Sequence, residues 1–229
     1  MKNKNFIITC SFIFFSLISI TISAQSVINF DTARFIDAPE GETTNDAIKR
    51  LIIANKGAVI EFNSFEYDLG GKVLNIPRNI TLKGTINNNT IDLTKHGADN
   101  GNIATKFINC GVINFASNDI KIENLALIRT PGAKYSVFLN MIHGSYNNVN
   151  KIDKTIYSGI EFNNVIVSGG GYQVRTGNGI GGKFTNVSFI EFNTIGFWFD
   201  RKGNVTSHPK VEWKNCTFSV KNTPGGTSA

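Results

Sequence analysis

The sequence predicts an all-β chain: a right-handed parallel β-helix (solenoid) with an N-terminal capping α-helix. Three observations carry this. The composition favours strands and tight turns, an asparagine motif recurs four times, and one amphipathic helical stretch stands ahead of the first repeat.

Among 229 residues there are 29 Asn, 22 Gly and 18 Phe against 5 Pro. Asparagine amides compete for local backbone hydrogen bonds and tolerate left-handed turns, which disfavours long helices. With 41% hydrophobic and 17% charged residues, the chain is neither a disordered acidic tail nor a membrane bundle. The charged fraction lies well below the usual figure of roughly 25%. The surface therefore relies on neutral amides and hydroxyls, as sugar-facing and repetitive β surfaces do.

Four segments share one pattern: a large apolar residue, any residue, Asn, then apolar, any, apolar. They are Ile122–Leu127, Phe162–Val167, Phe184–Phe189 and Trp213–Phe218. Their asparagines, Asn124, Asn164, Asn186 and Asn215, are 40, 22 and 29 residues apart, the irregular spacing of one structural turn that carries loops of variable length. Alternation on either side of each Asn predicts short strands with one apolar face. The Asn between them is suited to a left-handed bend. Stacked at roughly 4.7–4.9 Å, the strand spacing of a sheet, successive coils would bring these amides together as an internal ladder. A further strand set, Val137–His143, Tyr172–Arg175 and Gly196–Asp200, completes three strands per coil and so a right-handed β-helix.

At the front of the chain, Lys2 and Lys4 precede an apolar run from Phe6 to Ile22 that ends in Ser23-Ala24-Gln25. This reads as a secretory signal peptide over 1–24, too short and too rich in hydroxyl residues for a span. The expected location is secreted or at the cell surface, with no membrane span after cleavage. Loss of Lys2 and Lys4 takes the net charge from +6 to +4. No cluster of Lys and Arg interleaved with aromatics appears, so nucleic acid is not an expected partner.

Residues 25–70 are expected to form the N-terminal cap. Thr43-Thr44-Asn45-Asp46 supplies capping side chains, and Ala47, Ile48, Leu51 and Ile52 recur at helical spacing, predicting a helix over 44–55 that Gly57 stops. Ala58–Phe62 then alternates as a strand. The helix, Gly57–Phe62, Tyr67 and the run Leu74–Gly84 together resemble the opening of pectate-lyase-superfamily (pectin-lyase-like) proteins, departing from them at Asn63–Glu66. That resemblance implies a β-helix scaffold over about 40–220. It also implies a carbohydrate-related role, because the family includes polysaccharide lyases, glycoside hydrolases, epimerases and non-catalytic adhesins. Calcium enters only through the resemblance; no Asp-x-Asp-x-Asp calcium loop or His-x-x-x-His zinc pair stands in the sequence, and Asp92, Asp99 and Asp119 are scattered.

The coils are expected over 71–229 as one domain. Residues 221–229 contain nothing apolar that would cover the last coil, which predicts an array continuing beyond this sequence. Cys110 and Cys216 each sit in an apolar strand-like run and are expected as unpaired core thiols. The glycine clusters at 169–171 and 177–182 do not lead from a strand into a helix, so they read as turns and not phosphate loops.

Chemistry is sought where one strand of each coil gives way to its long loop. There the expected reacting groups are His143, Arg175 and Asp200, sharing a ridge. Arg175 would hold a sugar carboxylate bidentately, His143 would transfer a proton near neutral pH, and Asp200 would orient either or bind a cation with other oxygens. Lys134, Tyr172, Arg201, Lys202 and His208 are candidate substrate-binding residues beside it. The expected partner is an acidic polysaccharide, met by a monomer. The expected function is a polysaccharide lyase; the alternatives are a non-catalytic glycan-binding or adhesive β-helix using aromatics such as Tyr172 and Trp198, and a glycoside hydrolase.

Overall fold

The computed structural model describes residues 25–87, 102–129, 137–141, 159–177, 182–192, 195–200 and 211–220. The chain enters as a short strand, β1 (Val27–Asn29), whose last residue caps a single helical turn, α1 (Phe30–Ala33), by accepting from the Thr32 N–H. Thr43 does the same for α2 (Thr44–Ala54), accepting from the Asp46 N–H. Ala47, Ile48, Leu51 and Ile52 of α2 fall on one face and are buried in the main core. The helix ends one residue before the expected boundary, and Gly57 makes the following turn at φ +80°. Arg50 ties α2 to the segment before it: the guanidinium donates to both Glu42 oxygens, at 2.7 and 2.8 Å, and to the carbonyls of Arg34 and Ile36. That fork holds the Glu42 carboxyl below its usual range.

Strands follow in short pieces: β2 (Val59–Glu61), β3 (Glu66–Asp68), β4 (Leu74–Ile76), β5 (Ile80–Lys83) and β6 (Thr105–Cys110). A repeating unit then begins, one shorter strand followed by one longer: β7 (Ile113–Phe115) with β8 (Ile120–Arg129), β9 (Val137–Asn140) with β10 (Ile160–Ser168), and β11 (Tyr172–Gly177) with β12 (Gly182–Phe192). β13 (Ile195–Asp200) leads to β14 (Glu212–Lys214) and β15 (Thr217–Val220), which divide the last long strand in two. One sheet stacks in the order β4-β7-β9-β11-β13, and the other, which holds the long strands β8, β10 and β12, in the order β1-β2-β5-β8-β10-β12-β14. Every ladder between named strands is parallel. The chain is all-β, and this stacking is consistent with a parallel β-solenoid.

The long strands bend at their asparagines. Asn124, Asn164, Asn186 and Asn215 have φ of +55°, +54°, +53° and +52°, the left-handed conformation that Asn tolerates best after Gly. Because the bend recurs in register, residues before it pair separately from those after it: Ile120–Glu123 lie along β5, whereas Leu125–Leu127 lie along β6. Asn164 donates to Asn124 at 3.1 Å and Asn215 to Asn186 at 3.3 Å.

Inside, aromatic rings continue from coil to coil. Phe162 stacks on Phe184 at 5.2 Å, and Phe184 on Trp213 at 4.6 Å. Each fully buried ring contributes on the order of 1.5–3 kcal/mol of transfer free energy. Cys110 and Cys216 are both free, as expected; burial pushes the Cys110 thiol up to about 12, and its Sγ donates to the Phe107 carbonyl at 3.2 Å. Among the described residues no helix is long and apolar enough to cross a membrane.

Candidate functional site

On the β4-β7-β9-β11-β13 sheet the inward positions are apolar and aligned. Leu74 lies against Ile113, Ile113 against Leu139 and Leu139 against Val174, all buried. One residue further along β4, β7, β9 and β11 the side chains face away from this core, since successive residues alternate between faces. That row reads Asn75, Asn114, Asn140, Arg175 and Trp198, each directly opposite the next.

The first three form a second amide ladder. Asn114 Nδ2 donates to Asn75 Oδ1 at 2.7 Å, and Asn140 Nδ2 donates to Asn114 Oδ1 at 2.9 Å. Asn114 and Asn140 each donate toward the preceding coil, so the Asn75 and Asn114 carbonyls point toward the following one. A strip of amides one strand spacing apart, followed by a guanidinium, offers hydrogen bonds to neutral hydroxyls along its length and a planar fork for a carboxylate at one end.

The backbone beneath Arg175 is held from both sides. Its carbonyl accepts from the Met141 N–H at 2.8 Å. Two residues earlier, buried Gln173 donates from Nε2 to the Val167 carbonyl at 2.9 Å and the Ile190 carbonyl at 2.5 Å, tying the start of β11 to the ends of β10 and β12. Arg129 anchors the neighbouring β9, donating to the Val137 carbonyl and lying 5.7 Å from the centre of the Phe138 ring. Burial lowers the Arg129 pKa from its ordinary value.

Of the expected site residues, Arg175 and Tyr172 both lie on β11, half-buried and three positions apart, with Tyr172 opposite Val137 and Ile195. Asp200 is on the adjacent strand β13 but pairs with Gly177, two residues beyond the Arg175 row. Arg175 and Asp200 are thus neighbours with an offset, not direct partners on one ridge. His143, Lys134, Arg201, Lys202 and His208 lie outside the described residues. The sequence reading missed Asn75, Asn114 and Asn140. The signal was present, since Leu74-Asn75-Ile76, Ile113-Asn114-Phe115 and Leu139-Asn140-Met141 each set one Asn between two apolar residues.

Among the described residues no group of three His, Cys, Asp or Glu side chains is placed to hold a metal ion. Comparison of the chain with protein-family models, with curated proteins and with solved structures finds no match in any of the three.

Proposed function

We propose that this chain is a right-handed parallel β-helix similar to the pectate-lyase superfamily, closed at its N-terminal end by α2, and that it acts on acidic polysaccharide as a secreted lyase. Handedness follows from the general preference of parallel crossovers. The cap reading rests on the apolar stripe of α2, which joins the core of the first coil. One observation carries the functional reading: Arg175 stands in register between Asn140 and Trp198, at the end of a hydrogen-bonding amide strip.

In this reading the amides hold sugar hydroxyls and the Arg175 fork takes a uronate carboxylate. A base, for which His143 is the candidate, removes the proton α to that carboxylate, and the guanidinium stabilises the charge that develops on it. The carbon–oxygen bond β to the carboxylate then breaks, the leaving oxygen takes a proton, and an unsaturated uronate remains. A second reading is a non-catalytic glycan binder, favoured by the Asn75–Asn114–Asn140 ladder, which supplies recognition without an acid or a base.

Polygalacturonate, alginate and a neutral glucan, each incubated with the protein while absorbance near the unsaturated-uronate band is followed, separate the readings. New absorbance with an acidic polymer supports the lyase. Binding without absorbance supports the binder, and binding to none of the three removes both.

A further inference from the structure

The distribution of charge along the amide strip bears on which polymer it takes. Among the described residues the row Asn75, Asn114, Asn140 carries no formal charge until it reaches Arg175. The flanking positions two residues away along each strand are neutral as well: Val73, Val112, Phe138 and Gln173 on one side, Pro77 and Ala116 on the other. Charges begin at the margins. Lys72, before Val73, is held by Asp46 at 3.0 Å, and the corners beyond Pro77 and Ala116 hold one residue of each sign, Arg78 and Asp119. Arg129 lies against the Phe138 ring but is buried, and its guanidinium donates to the Val137 carbonyl. Past Arg175, the charge that β13 adds is Asp200, opposite Gly177 and of the wrong sign for a uronate.

The hydrogen-bonding capacity of each rung points the same way. An amide has two N–H donors and two carbonyl lone pairs. Asn114 uses one of each in the ladder, giving to Asn75 and accepting from Asn140, so one donor and one acceptor remain. A sugar hydroxyl, which both gives and accepts, matches that pair. A carboxylate presents acceptors alone: it would meet the remaining N–H but set its charge beside the amide oxygen, with no cation there to offset its loss of water. Strands stack at roughly 4.7–4.9 Å, close to the rise of one pyranose unit in an extended chain, so successive sugars meet successive rungs. We infer that the strip selects a heteropolysaccharide, with neutral sugars along Asn75, Asn114 and Asn140 and a single uronate on Arg175, over a homopolymer of uronates. This rests on the glycan reading of the strip and narrows it, since a uronate at every rung would bring carboxylates to positions that hold no cation.

Calorimetric titration of the full chain with tetrasaccharides tests this. The probes are tetragalacturonate, galactotetraose, and two mixed chains of galactose with one galacturonate at the reducing or at the non-reducing end. One mixed probe should bind about tenfold or more tighter than tetragalacturonate and than galactotetraose. Asn75→Lys places a cation at the far rung, where the side chain is exposed, and should shift the preference toward tetragalacturonate by about threefold or more. Thermal unfolding close to the parent's shows that this variant is folded. Tetragalacturonate bound as tightly as the better mixed probe would overturn the inference and leave the acidic-polysaccharide reading standing. So would a folded Asn75→Lys protein with the parent's preference. Galactotetraose bound as tightly as the mixed probes, or no binding of any probe, would remove the reading itself and the inference with it.

Discussion

Asn164 donates its side-chain amide to Asn124 at 3.1 Å while both residues hold the left-handed backbone of the coil bend. One residue type meets two demands there, conformation and hydrogen bonding. Asn164→Ala removes both and should destabilise the protein by about 1–3 kcal/mol from the buried amide partners left unsatisfied, with roughly 1 kcal/mol more from the backbone. Asn164→Gly relieves the backbone cost alone and should fall between parent and Ala variant. Urea denaturation midpoints give the order, and equal midpoints for Gly and Ala variants would remove the conformational half of the account.

Tyr67 joins the first turn to the strands. Its hydroxyl donates to Asp31 Oδ2 at 2.6 Å and accepts from the Asn63 N–H at 3.0 Å, while the ring packs edge-on against Phe30 and Phe62. Tyr67→Phe should cost about 0.5–1.5 kcal/mol by removing these bonds, since the Asn63 N–H keeps its 3.3 Å bond to Asp31 Oδ2. Burial first, and the Asp31 hydrogen bond second, raise the phenol's pKa in the folded protein. The folded state therefore keeps a proton that the unfolded chain releases above about pH 10, so this contribution is full below that pH and is lost as pH rises beyond it. The stability gap between parent and Tyr67→Phe should narrow in that alkaline range, which paired denaturation curves would show.

Gly84 follows β5 where the backbone of the next coil passes close by. A methyl group there would overlap the Asn124 carbonyl oxygen and lie 2.7 Å from Thr105 Cβ and 2.8 Å from Leu125 Cδ2. The Gly84 N–H also donates to the Glu123 carbonyl at 2.8 Å, so the strand has no room to move aside. Gly84→Ala should destabilise by at least about 1–3 kcal/mol. Gly70→Ala, where no atom lies within 4 Å but φ is +62°, should cost only about 1 kcal/mol of backbone strain. A smaller loss at Gly84 than at Gly70 in calorimetric unfolding would contradict the close-stacking account.

The coil bends were legible because Asn124, Asn164, Asn186 and Asn215 carry their apolar flanks with them, and a left-handed position between two buried residues leaves few side chains to choose from. The start of α2 was legible from the capping hydroxyl of Thr43, and its stop from Gly57 at φ +80°. Register on the β4-β7-β9-β11-β13 sheet was harder. Alignment by where each strand meets its loop put His143, Arg175 and Asp200 on one ridge, but strand length does not set register. The buried residues do: Leu139 and Val174 fix Asn140 opposite Arg175, while β11 and β13 run on past that point to Gly177 and Asp200. Asn75, Asn114 and Asn140 escaped notice because a neutral amide between apolar neighbours resembles any solvent-facing strand position until the stacking brings three of them together.

The most direct test of the account is the affinity of an acidic oligosaccharide for Arg175→Ala compared with Arg201→Ala. A guanidinium set on a strand between Asn140 and Trp198 loses little freedom on binding, whereas Arg201 is a candidate from the sequence alone, outside the described residues. Calorimetric titration should show Arg175→Ala weaker than the parent by about tenfold or more, and Arg201→Ala weaker by no more than about threefold. An Arg175→Ala protein that binds the oligosaccharide as tightly as the parent would contradict the account.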